Sequence, residues 1–396
     1  MYGGGLRIAL VARDVNQHAG PPHVAAELVK RLCDDHEVSL FSHTVEGVDL
    51  SRIQHHYIPA VSGTWLLDFL VFLACSAAMF GFLRLVPRRR YDIIHAVTGI
   101  PFLFANVTTS HFCEREALRL ERGGLAKAPP TTVLGKLRAL DYGLYRRLVA
   151  FLEGLTFGHR RPKVRITVSE RLKEDFVRQY GEAEGDIIVV PNGVDCQRFH
   201  PDNRALYRDK LRQEHNIPLD APLLLFVGGD WERKGVRFTI EALSLLPDER
   251  VRLLVVGPGD VEAYKRFAAE RRVQGRVTFV SHTRDIATYY AASDLFVFPT
   301  LYEPFGLVIV EAMASGLPVI TSRLAAAADY IDDGVSGILL ETPHQPQELA
   351  SKVGLLLSDS GLRDTMSRRG REVAERFSWD EVARRTLDAY QAAMRR

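Results

Sequence analysis

The feature that most constrains this 396-residue chain is an alternation of short apolar, β-branched runs with longer amphipathic stretches, which occurs twice. Such alternation is typical of βα units wound around a parallel sheet. It stops in a segment rich in Pro, Asn, Asp and Gly, VVPNGVDCQRFHPDNRALYRD, and starts again at Leu223. We therefore predict two doubly wound α/β domains, residues 1–195 and 196–376, and a closing helix at residues 377–396 that packs back towards the first domain.

The predicted strands are the apolar runs that punctuate this pattern. Those of the first half are Leu6–Ala12, Glu37–Phe41, Ile53–Ile58, Tyr91–His95, Asn106–Thr109, Val164–Val168 and Asp186–Val190. Those of the second half are Leu223–Val227, Val251–Val256, Arg276–Val280, Leu295–Pro299, Pro318–Thr321 and Gly337–Leu340. In open sheets of this kind ligands bind beyond the carboxyl ends of the strands, so we expect a site in a cleft between the two domains.

Charge and cysteine content exclude several classes of protein. The 51 basic and 49 acidic residues give a net charge of +2, which argues against a general nucleic-acid binder. The four cysteines, Cys33, Cys75, Cys113 and Cys196, lack the paired spacing of a disulfide framework or a zinc site. Together with an N-terminus that shows no secretory signal, they indicate a cytoplasmic location.

The segment Trp65–Arg90 has about 20 mostly apolar residues followed by a basic cluster. One interpretation is a buried helix of the first domain. The other is a helix that lies on the inner face of a membrane, with Arg84, Arg88, Arg89 and Arg90 at the lipid headgroups, which would make the protein peripheral.

The stretch TLYEPFGLVIVEAMASGLPVI, which begins at Thr300, places two carboxylates around an apolar run. Pro304 suits the first position of a helix, and we predict one from Pro304 to Ala314. The amides of Phe305, Gly306 and Leu307 would then be free donors at a positive helix end, which favours a diphosphate. Gly306 would let the ligand approach the backbone closely.

Glu303 precedes this helix, and Glu311 lies roughly 10 Å further along it. Either acid alone is typical of a solvent-exposed position. Two carboxylates with anion-binding amides between them match a nucleotide sugar, which has hydroxyls at both ends and phosphates in the middle.

A cationic loop, FVGGDWERKGV, follows the first strand of the second domain. Arg233 and Lys234 lie where a leaving diphosphate needs compensating charge, and fixed cations stabilise such a transition state. Gly228, Gly229 and Gly235 keep the backbone of this loop open.

The motifs EPFGLVIVE, RKG, PNGVD and FSWDEVARRTLDAY resemble those of the retaining glycosyltransferases of GT-B fold, family 4 (glycosyl transferases group 1). Among them, GGDWERKGVRFTIEALSLLP is most similar to lipopolysaccharide core heptose glucosyltransferases. The resemblance implies two Rossmann-like domains facing a cleft. It also implies transfer of a hexose from a nucleotide sugar, a UDP-sugar by resemblance alone, to a glycan, glycolipid or lipopolysaccharide-type acceptor, without a metal.

The resemblance also implies roles for the residues singled out above. Glu303 is similar to the carboxylate that binds donor-sugar hydroxyls, and Glu311 to the one that holds the ribose. Lys234 and Arg233 look like the diphosphate clamp, assisted by the Phe305–Leu307 amides. The segment Val280–Ile286, with Thr283 and Arg284, is similar to the loop that contacts the base.

This chain departs from the family pattern at two loops. The arginine usual after the first strand of the second domain is replaced by Gly229, and we expect Arg233 to substitute for it. Of the paired glycines after the first strand of the chain, only Gly20 is present. His111, in TTSHFCEREA, resembles the strand-end histidine beside the donor sugar, and His95 is a second candidate.

The family mechanism is described as internal return, in which no protein nucleophile is needed. Two alternatives stay open at this point: a nucleotide-sugar epimerase of the same fold, and a catalytically silent sugar-nucleotide-binding homologue. Basic residues at Arg146-Arg147 and at His159, Arg160, Arg161, Lys163 and Arg165 hint at an anionic acceptor, although solvated surface charge is the simpler explanation.

Overall fold

The computed structural model describes residues 5–17, 20–61, 63–84, 91–97, 104–122, 132–158, 162–181, 184–281, 283 and 285–396. The chain divides into two compact units. The first contains Met1–Asn192 and Trp379–Arg396, and the second contains Gly193–Ser378. The C-terminal helix, Trp379–Arg395, thus belongs to the first unit.

The first unit is built on a parallel sheet with strand order β5-β3-β1-β6-β7-β8-β9, and β2 and β4 form a separate short pair. Its elements are β1 (Arg7–Val11), β2 (Asp14–Val15), α1 (Gly20–Leu32), β3 (Glu37–Ser42), β4 (Thr44–Val45), β5 (Gln54–Tyr57), α2 (Trp65–Arg84), β6 (Ile93–Ala96), β7 (Val107–Ser110), α3 (Glu114–Leu120), α4 (Val133–Gly158), β8 (Val164–Thr167), α5 (Glu170–Tyr180) and β9 (Ile187–Val189).

Two apolar clusters bury the strands of this unit. One contains Val24 and Leu28 of α1 together with Trp379 and Tyr390 of the C-terminal helix. The other joins Phe72 and Phe80 of α2 to residues of β1 and β3. Because helices cover the sheet, its central strands β1 and β3 are buried runs without alternation, which the sequence pattern marks clearly, whereas the edge strand β5 is the polar and partly exposed QHHY.

The second unit has a parallel sheet of strand order β12-β11-β10-β13-β14-β15. Its elements are α6 (Asn203–Glu214), β10 (Leu223–Val227), α7 (Trp231–Lys234), α8 (Val236–Leu245), β11 (Arg252–Val256), α9 (Val261–Glu270), β12 (Val277–Val280), α10 (Ile286–Ala292), β13 (Leu295–Phe298), α11 (Leu307–Ala314), β14 (Val319–Ser322), β15 (Ile338–Leu340), α12 (Pro346–Ser358) and α13 (Ser360–Ala374).

The strand order of the second unit reverses between β10 and β13. On the two sides of such a switch point the connections between strands lead in opposite directions, which leaves a crevice beyond the strand ends. Ligands of doubly wound folds bind in this crevice. The loop after β10 contains Arg233 and Lys234, and the loop after β13 contains Glu303 and Gly306. The topology therefore brings the two singled-out loops to the same place.

The predicted strands are confirmed within two residues at each end. The short pair β2 and β4 was not predicted, since two residues are too few to show a period. The four cysteines are free thiols, as the sequence indicated.

Candidate active site

Three charged side chains meet at the switch point of the second unit. The Lys234 Nζ lies 3.5 Å from Glu303 Oε2, and an Arg233 guanidinium nitrogen lies 3.7 Å from the same oxygen. Their side chains are 16%, 20% and 15% exposed for Lys234, Arg233 and Glu303. At such low exposure these charges are screened less than surface charges, so each contributes strongly to the local potential.

Backbone and side-chain bonds of Arg233 hold the two loops together. Its carbonyl accepts a hydrogen bond from the Leu301 amide at 2.8 Å, and its guanidinium donates to the Tyr302 carbonyl. Its Nε also donates to Asp230 at 2.9 Å. Much of the donor capacity of Arg233 is therefore used inside the protein. Among the described residues, the Lys234 ammonium makes only the longer ion pair with Glu303, and it lies 5.5 Å from the centroid of the Phe298 ring.

Two glycines shape the loop that carries Lys234. Gly228 has φ +141°, and a Cβ there would lie 3.0 Å from Lys234 Nζ. Gly235 has φ +86°, and its Cβ would lie 2.2 Å from the Pro299 carbonyl oxygen. Any other residue at either position would displace the lysine or the β13 loop.

Glu303 Oε2 is a buried carboxylate oxygen that accepts no hydrogen bond from any residue that the structure describes. Both neighbouring cations stand beyond normal hydrogen-bond distance from it. A buried acceptor without a donor costs free energy, and native proteins keep such groups mostly where a ligand or water completes them. The geometry suits a ligand hydroxyl.

The helix after Glu303 begins at Leu307, and the predicted start at Pro304 is wrong. The segment before it is held in an extended bridge, in which the carbonyls of Glu303 and Phe305 accept from the amides of Ala326 and Ala327 at 2.9 and 2.7 Å. Gly306, at φ +100°, makes the turn into the helix. Within the described part of the chain, the amides of Phe305, Gly306 and Leu307 meet no acceptor, so they stay available to an anion.

Glu311 is half-buried on α11 and accepts a hydrogen bond from the Tyr290 hydroxyl at 2.9 Å. Burial raises the pKa of Glu311, while the Tyr290 bond and the charges of Arg198 and Lys234 act in the opposite direction. The same hydroxyl oxygen lies 3.2 Å from the Val308 carbonyl oxygen, so its single proton is shared between two acceptors, of which Glu311 is the nearer. One carboxylate oxygen of Glu311 is thus fixed by the protein.

Tyr290 and Arg198 are site residues that the sequence did not indicate. Tyr290 lies on α10 and Arg198 in the segment that precedes α6, so neither belongs to the loops that carry the motifs. Lys234 connects the two carboxylates of the site, because it pairs with Glu303 and its charge also lowers the pKa of Glu311.

The base-contact loop is described only in part. The Thr283 hydroxyl accepts a hydrogen bond from the Asp285 amide at 3.2 Å, a local turn contact. Arg284 lies outside the described residues. Gly229 is described, and a Cβ there would lie 3.2 Å from Pro258, so the loop leaves little room for a side chain in place of the family's arginine.

His111 follows β7 in the first unit, and its Nε2 donates to the Val97 carbonyl at 3.0 Å. Burial lowers the pKa of His111 to about 4, so the ring is neutral at pH 7. Since a carbonyl only accepts, the proton is on Nε2, and Nδ1 carries a lone pair. His111 can therefore accept a hydrogen bond from a hydroxyl.

His95 does not qualify as a site residue. It is fully buried, and its ring nitrogens bond the Tyr390 hydroxyl and the Thr109 hydroxyl, both at 2.8 Å. Burial lowers its pKa to about 3. Gly20, at φ +69°, opens α1, and the close approach of a ligand to it stays a prediction.

The interpretation of the basic residues of the first unit as an acceptor patch is wrong for two of them. Arg146 is buried and bonds Glu114 and Glu121, and Arg165 is buried and donates to the Thr156 carbonyl at 2.8 Å. Arg147 is exposed, and His159, Arg160 and Arg161 lie outside the described residues.

Comparisons with known proteins agree with this architecture. Residues 20–198 match the model of the Glycosyltransferase Family 4, and residues 207–373 match that of the Glycosyl transferases group 1. A D-inositol 3-phosphate glycosyltransferase of Xylanimonas cellulosilytica is 37% identical over 232 residues, which is 56% of this chain and 55% of that protein. The match thus spans about half the length of that relative.

Relatives from lipopolysaccharide synthesis are similar in sequence and in structure. The lipopolysaccharide glucosyltransferase WaaG of Escherichia coli is 30% identical over 234 residues, 58% of this chain and 62% of that protein. A crystal structure of WaaG superposes with a TM-score of 0.77 at 24% identity, over 96% of this chain and 98% of that one. The two family matches and the two parallel-sheet units show that the chain belongs to the GT-B glycosyltransferases, with a family 4 domain followed by a group 1 domain.

Proposed function

We propose that this protein is a retaining hexosyltransferase that uses a nucleotide sugar, with a UDP-sugar as the donor. The observation that carries the proposal is the buried Glu303 Oε2, which lacks a hydrogen bond and lies next to Lys234 and Arg233 at the switch point. A sugar hydroxyl would supply the missing donor, and a diphosphate would supply the negative charge that the two cations favour.

The charge that develops during transfer is the main electrostatic problem of the reaction. The bond between the anomeric carbon and the diphosphate oxygen breaks, and the electron pair goes to the diphosphate. Lys234, whose ammonium makes no short hydrogen bond to any described residue, would stabilise that charge. Arg233 would act chiefly by its electric field, because its donors are engaged. The Phe305–Leu307 amides would assist as neutral donors.

The acceptor oxygen forms its bond to the anomeric carbon on the face that the diphosphate leaves. The acceptor proton passes to the leaving phosphate oxygen, so the step is balanced without a protein nucleophile. His111, which is neutral and has a free Nδ1 lone pair, is proposed to orient the donor sugar by accepting from a hydroxyl.

The nucleoside end is assigned to Glu311. The Tyr290 hydroxyl holds one of its oxygens, which leaves the other for the ribose hydroxyls. Thr283 and the rest of the loop after β12 are proposed to contact the base. The choice of uridine is supported by the resemblance, and a structure of similar fold, HepE of Anabaena, holds UDP and glucose.

Metal independence is part of the proposal, because Lys234 and Arg233 supply the positive charge that a cation would provide. The acceptor is proposed to be a glycan, glycolipid or lipopolysaccharide-type molecule, as the name of the lipopolysaccharide glucosyltransferase WaaG suggests. A cytoplasmic protein, peripheral on the inner face of the membrane through Trp65–Arg90, would meet such acceptors where they are made.

The test is a screen of the purified protein against UDP-, GDP- and ADP-hexoses in the presence of EDTA. We expect slow hydrolysis of a UDP-hexose and a rise in melting temperature with that nucleotide. Hydrolysis with release of the anomer of the donor's own configuration, followed by NMR, would support retention. Absence of turnover and of stabilisation with every donor, or turnover that EDTA abolishes, would contradict the proposal.

A further inference from the structure

Trp231 is a buried tryptophan of the loop that follows β10. It is 3% exposed and opens the short helix α7. Its ring packs edge-on against Tyr264 of α9, with 5.1 Å between centroids, and lies 5.5 Å from the ring of Phe279 of β12. A Cβ at Gly259 would lie 2.2 Å from the indole, so this glycine leaves the space that the ring fills. Three neighbouring segments of the second unit therefore fix Trp231.

The indole N–H holds one carbonyl of the same loop. Trp231 Nε1 donates a hydrogen bond to the Gly228 carbonyl oxygen at 2.9 Å. An indole N–H only donates, so it can hold a carbonyl and cannot hold an amide N–H in its place. Gly257 leaves room for this arrangement, because a Cβ there would lie 2.5 Å from the same carbonyl oxygen. Trp231 thus sets the direction in which the Gly228 carbonyl points.

The direction of this carbonyl also decides where the next amide points. In a planar trans peptide the carbonyl and the N–H lie on opposite sides, so a Gly228 carbonyl that faces the indole turns the Gly229 N–H the other way. The Gly229 amide donates to no acceptor in the part of the chain that the structure describes. This N–H is therefore available to a ligand on the side of the loop away from Trp231.

Glycines on both sides leave the Gly228–Gly229 peptide free to rotate. Neither residue has a Cβ that would oppose a half-turn of the peptide plane, and Gly228 already adopts φ +141°. A reversed peptide would present its carbonyl oxygen where the N–H now lies, and that partial negative charge would repel a phosphate. Among described residues, the hydrogen bond from Trp231 is the one that holds this peptide in its present orientation.

The Lys234 ammonium packs against the same peptide. A Cβ at Gly228 would lie 3.0 Å from Lys234 Nζ, and α7 joins Trp231 to Lys234 by a single helical turn. The cation and the Gly229 amide are thus neighbours on one loop. A charged donor and a neutral donor placed in this way can bind the same anion.

We propose that Trp231 is a positioning residue for the donor, which keeps the Gly228–Gly229 peptide turned so that the Gly229 N–H faces the diphosphate beside Lys234. The inference rests on the proposed function, because it takes a nucleoside diphosphate as the ligand. Trp231 itself does not touch that ligand and acts through the loop carbonyl that it holds.

Trp379 offers a matched control in the first unit. Both tryptophans are 3% exposed, but Nε1 of Trp379 makes no hydrogen bond to any described residue. Trp231→Phe and Trp379→Phe remove the same atoms from two buried sites. Only Trp231→Phe removes a hydrogen bond to the loop, so the difference between the two variants isolates the effect of that bond.

The test is calorimetric titration of UDP, GDP and ADP into the full chain as wild type, Trp231→Phe and Trp379→Phe, with binding of the matching nucleosides followed by ligand-observed NMR. We expect Trp231→Phe to lower the affinity for UDP about tenfold and that for uridine less than about twofold, because the peptide faces the phosphates. Trp379→Phe should change both affinities less than about twofold. Melting temperatures show whether each variant is folded.

A second measurement uses the wild-type protein and does not depend on the folding of Trp231→Phe. The three indole N–H signals are assigned by elimination with Trp65→Phe and Trp379→Phe. The Trp231 signal should shift downfield with saturating UDP and stay in place with uridine, because an amide that bonds a phosphate polarises the carbonyl of its own peptide.

Three results would overturn this inference alone: a folded Trp231→Phe that binds UDP like wild type, equal losses of UDP and uridine affinity, or a Trp231 signal that saturating UDP leaves unchanged. A wild-type protein that binds none of the three nucleotides would overturn the proposed function together with this inference.

Discussion

His95 in the first unit and Glu303 in the second both place a buried polar atom beside a parallel sheet. They differ in whether the protein itself supplies the hydrogen-bond partner of that atom. Both ring nitrogens of His95 bond protein hydroxyls at 2.8 Å. Glu303 Oε2 accepts no hydrogen bond from the described residues, although two cations stand 3.5 and 3.7 Å away.

This difference separates a structural polar residue from a binding one. A histidine whose nitrogens are satisfied contributes to the core and has nothing left to offer a ligand. A carboxylate whose oxygen is buried and unfilled is costly unless a ligand completes it. His111 lies between these cases, with one nitrogen engaged by Val97 and the other free to accept.

The largest effect is expected at Lys234, the cation of the candidate site whose charged group makes no short hydrogen bond to a described residue. Lys234→Ala should lower kcat/KM for hexosyl transfer by about 1,000-fold or more, because the cation facing the leaving diphosphate is removed. The measurement is steady-state turnover of a UDP-hexose, with melting temperature to confirm folding.

Arg237→Ala is the matched control for that substitution. Arg237 is a basic residue of the neighbouring helix α8, is 54% exposed and pairs only loosely with Glu241 at 3.7 Å. Its loss should change turnover less than about twofold. Equal losses in the two variants would mean that general positive charge, and not the position of Lys234, matters.

The second prediction concerns acid stability of the first unit. Burial lowers the pKa of His111 from 6.5 to about 4. Between these two pH values the histidine is protonated in the unfolded chain and neutral in the folded one. The stability contributed by the neutral ring is present above pH 6.5 and is lost as pH falls towards 4. His111→Gln removes this titration, so wild type should lose about 1.4 kcal/mol per pH unit relative to the variant in that window.

Urea unfolding of both proteins between pH 4 and 8 measures that difference. Other titrating groups of the unit, such as Glu153, whose pKa burial raises to about 8, are common to both proteins and cancel. A difference that does not change with pH would show that His111 is solvated like an ordinary surface histidine.

The fold was predictable from sequence because both sheets are buried on both faces. Strand β10 is the run LLLFV, buried throughout, and its apolar character needs no tertiary context to be recognised. The start of α11 was not predictable, since the bridge from Glu303 and Phe305 to Ala326 and Ala327 joins segments about 20 residues apart. Pro304 is compatible with a helix start, and tertiary hydrogen bonds override it.

The candidate site was predictable only where its residues fall in motifs. Glu303, Glu311, Arg233 and Lys234 lie in or next to two strand–helix connections of unusual composition. Tyr290 reaches Glu311 from another helix, and no local pattern distinguishes it from a core tyrosine. Both ring nitrogens of His95 make hydrogen bonds, whereas only one nitrogen of His111 does. This difference depends on interatomic distances, which the spacing of residues in the sequence does not reveal.

A smaller effect is expected at Tyr290, whose hydroxyl, like the ring nitrogens of His95, already has a hydrogen-bond partner within the protein. Tyr290→Phe removes one hydrogen bond to Glu311 and keeps the ring packing, so affinity for UDP should fall about fivefold. Tyr207→Phe, at an exposed tyrosine of α6 in the same unit, is the control. An equal loss with Tyr207→Phe would show that the effect does not come from the bond to Glu311.

The most direct test of the central claim is calorimetric titration of UDP into wild type, Lys234→Ala and Glu303→Gln in EDTA. Lys234 is proposed to face the diphosphate and Glu303 the sugar, which UDP lacks. Lys234→Ala is therefore expected to weaken UDP binding by about 30-fold or more. Glu303→Gln, which removes a negative charge beside two cations, should bind UDP as tightly as wild type or more tightly, while its transfer activity is lost. Similar losses of UDP affinity in both variants, or none in either, would contradict the account.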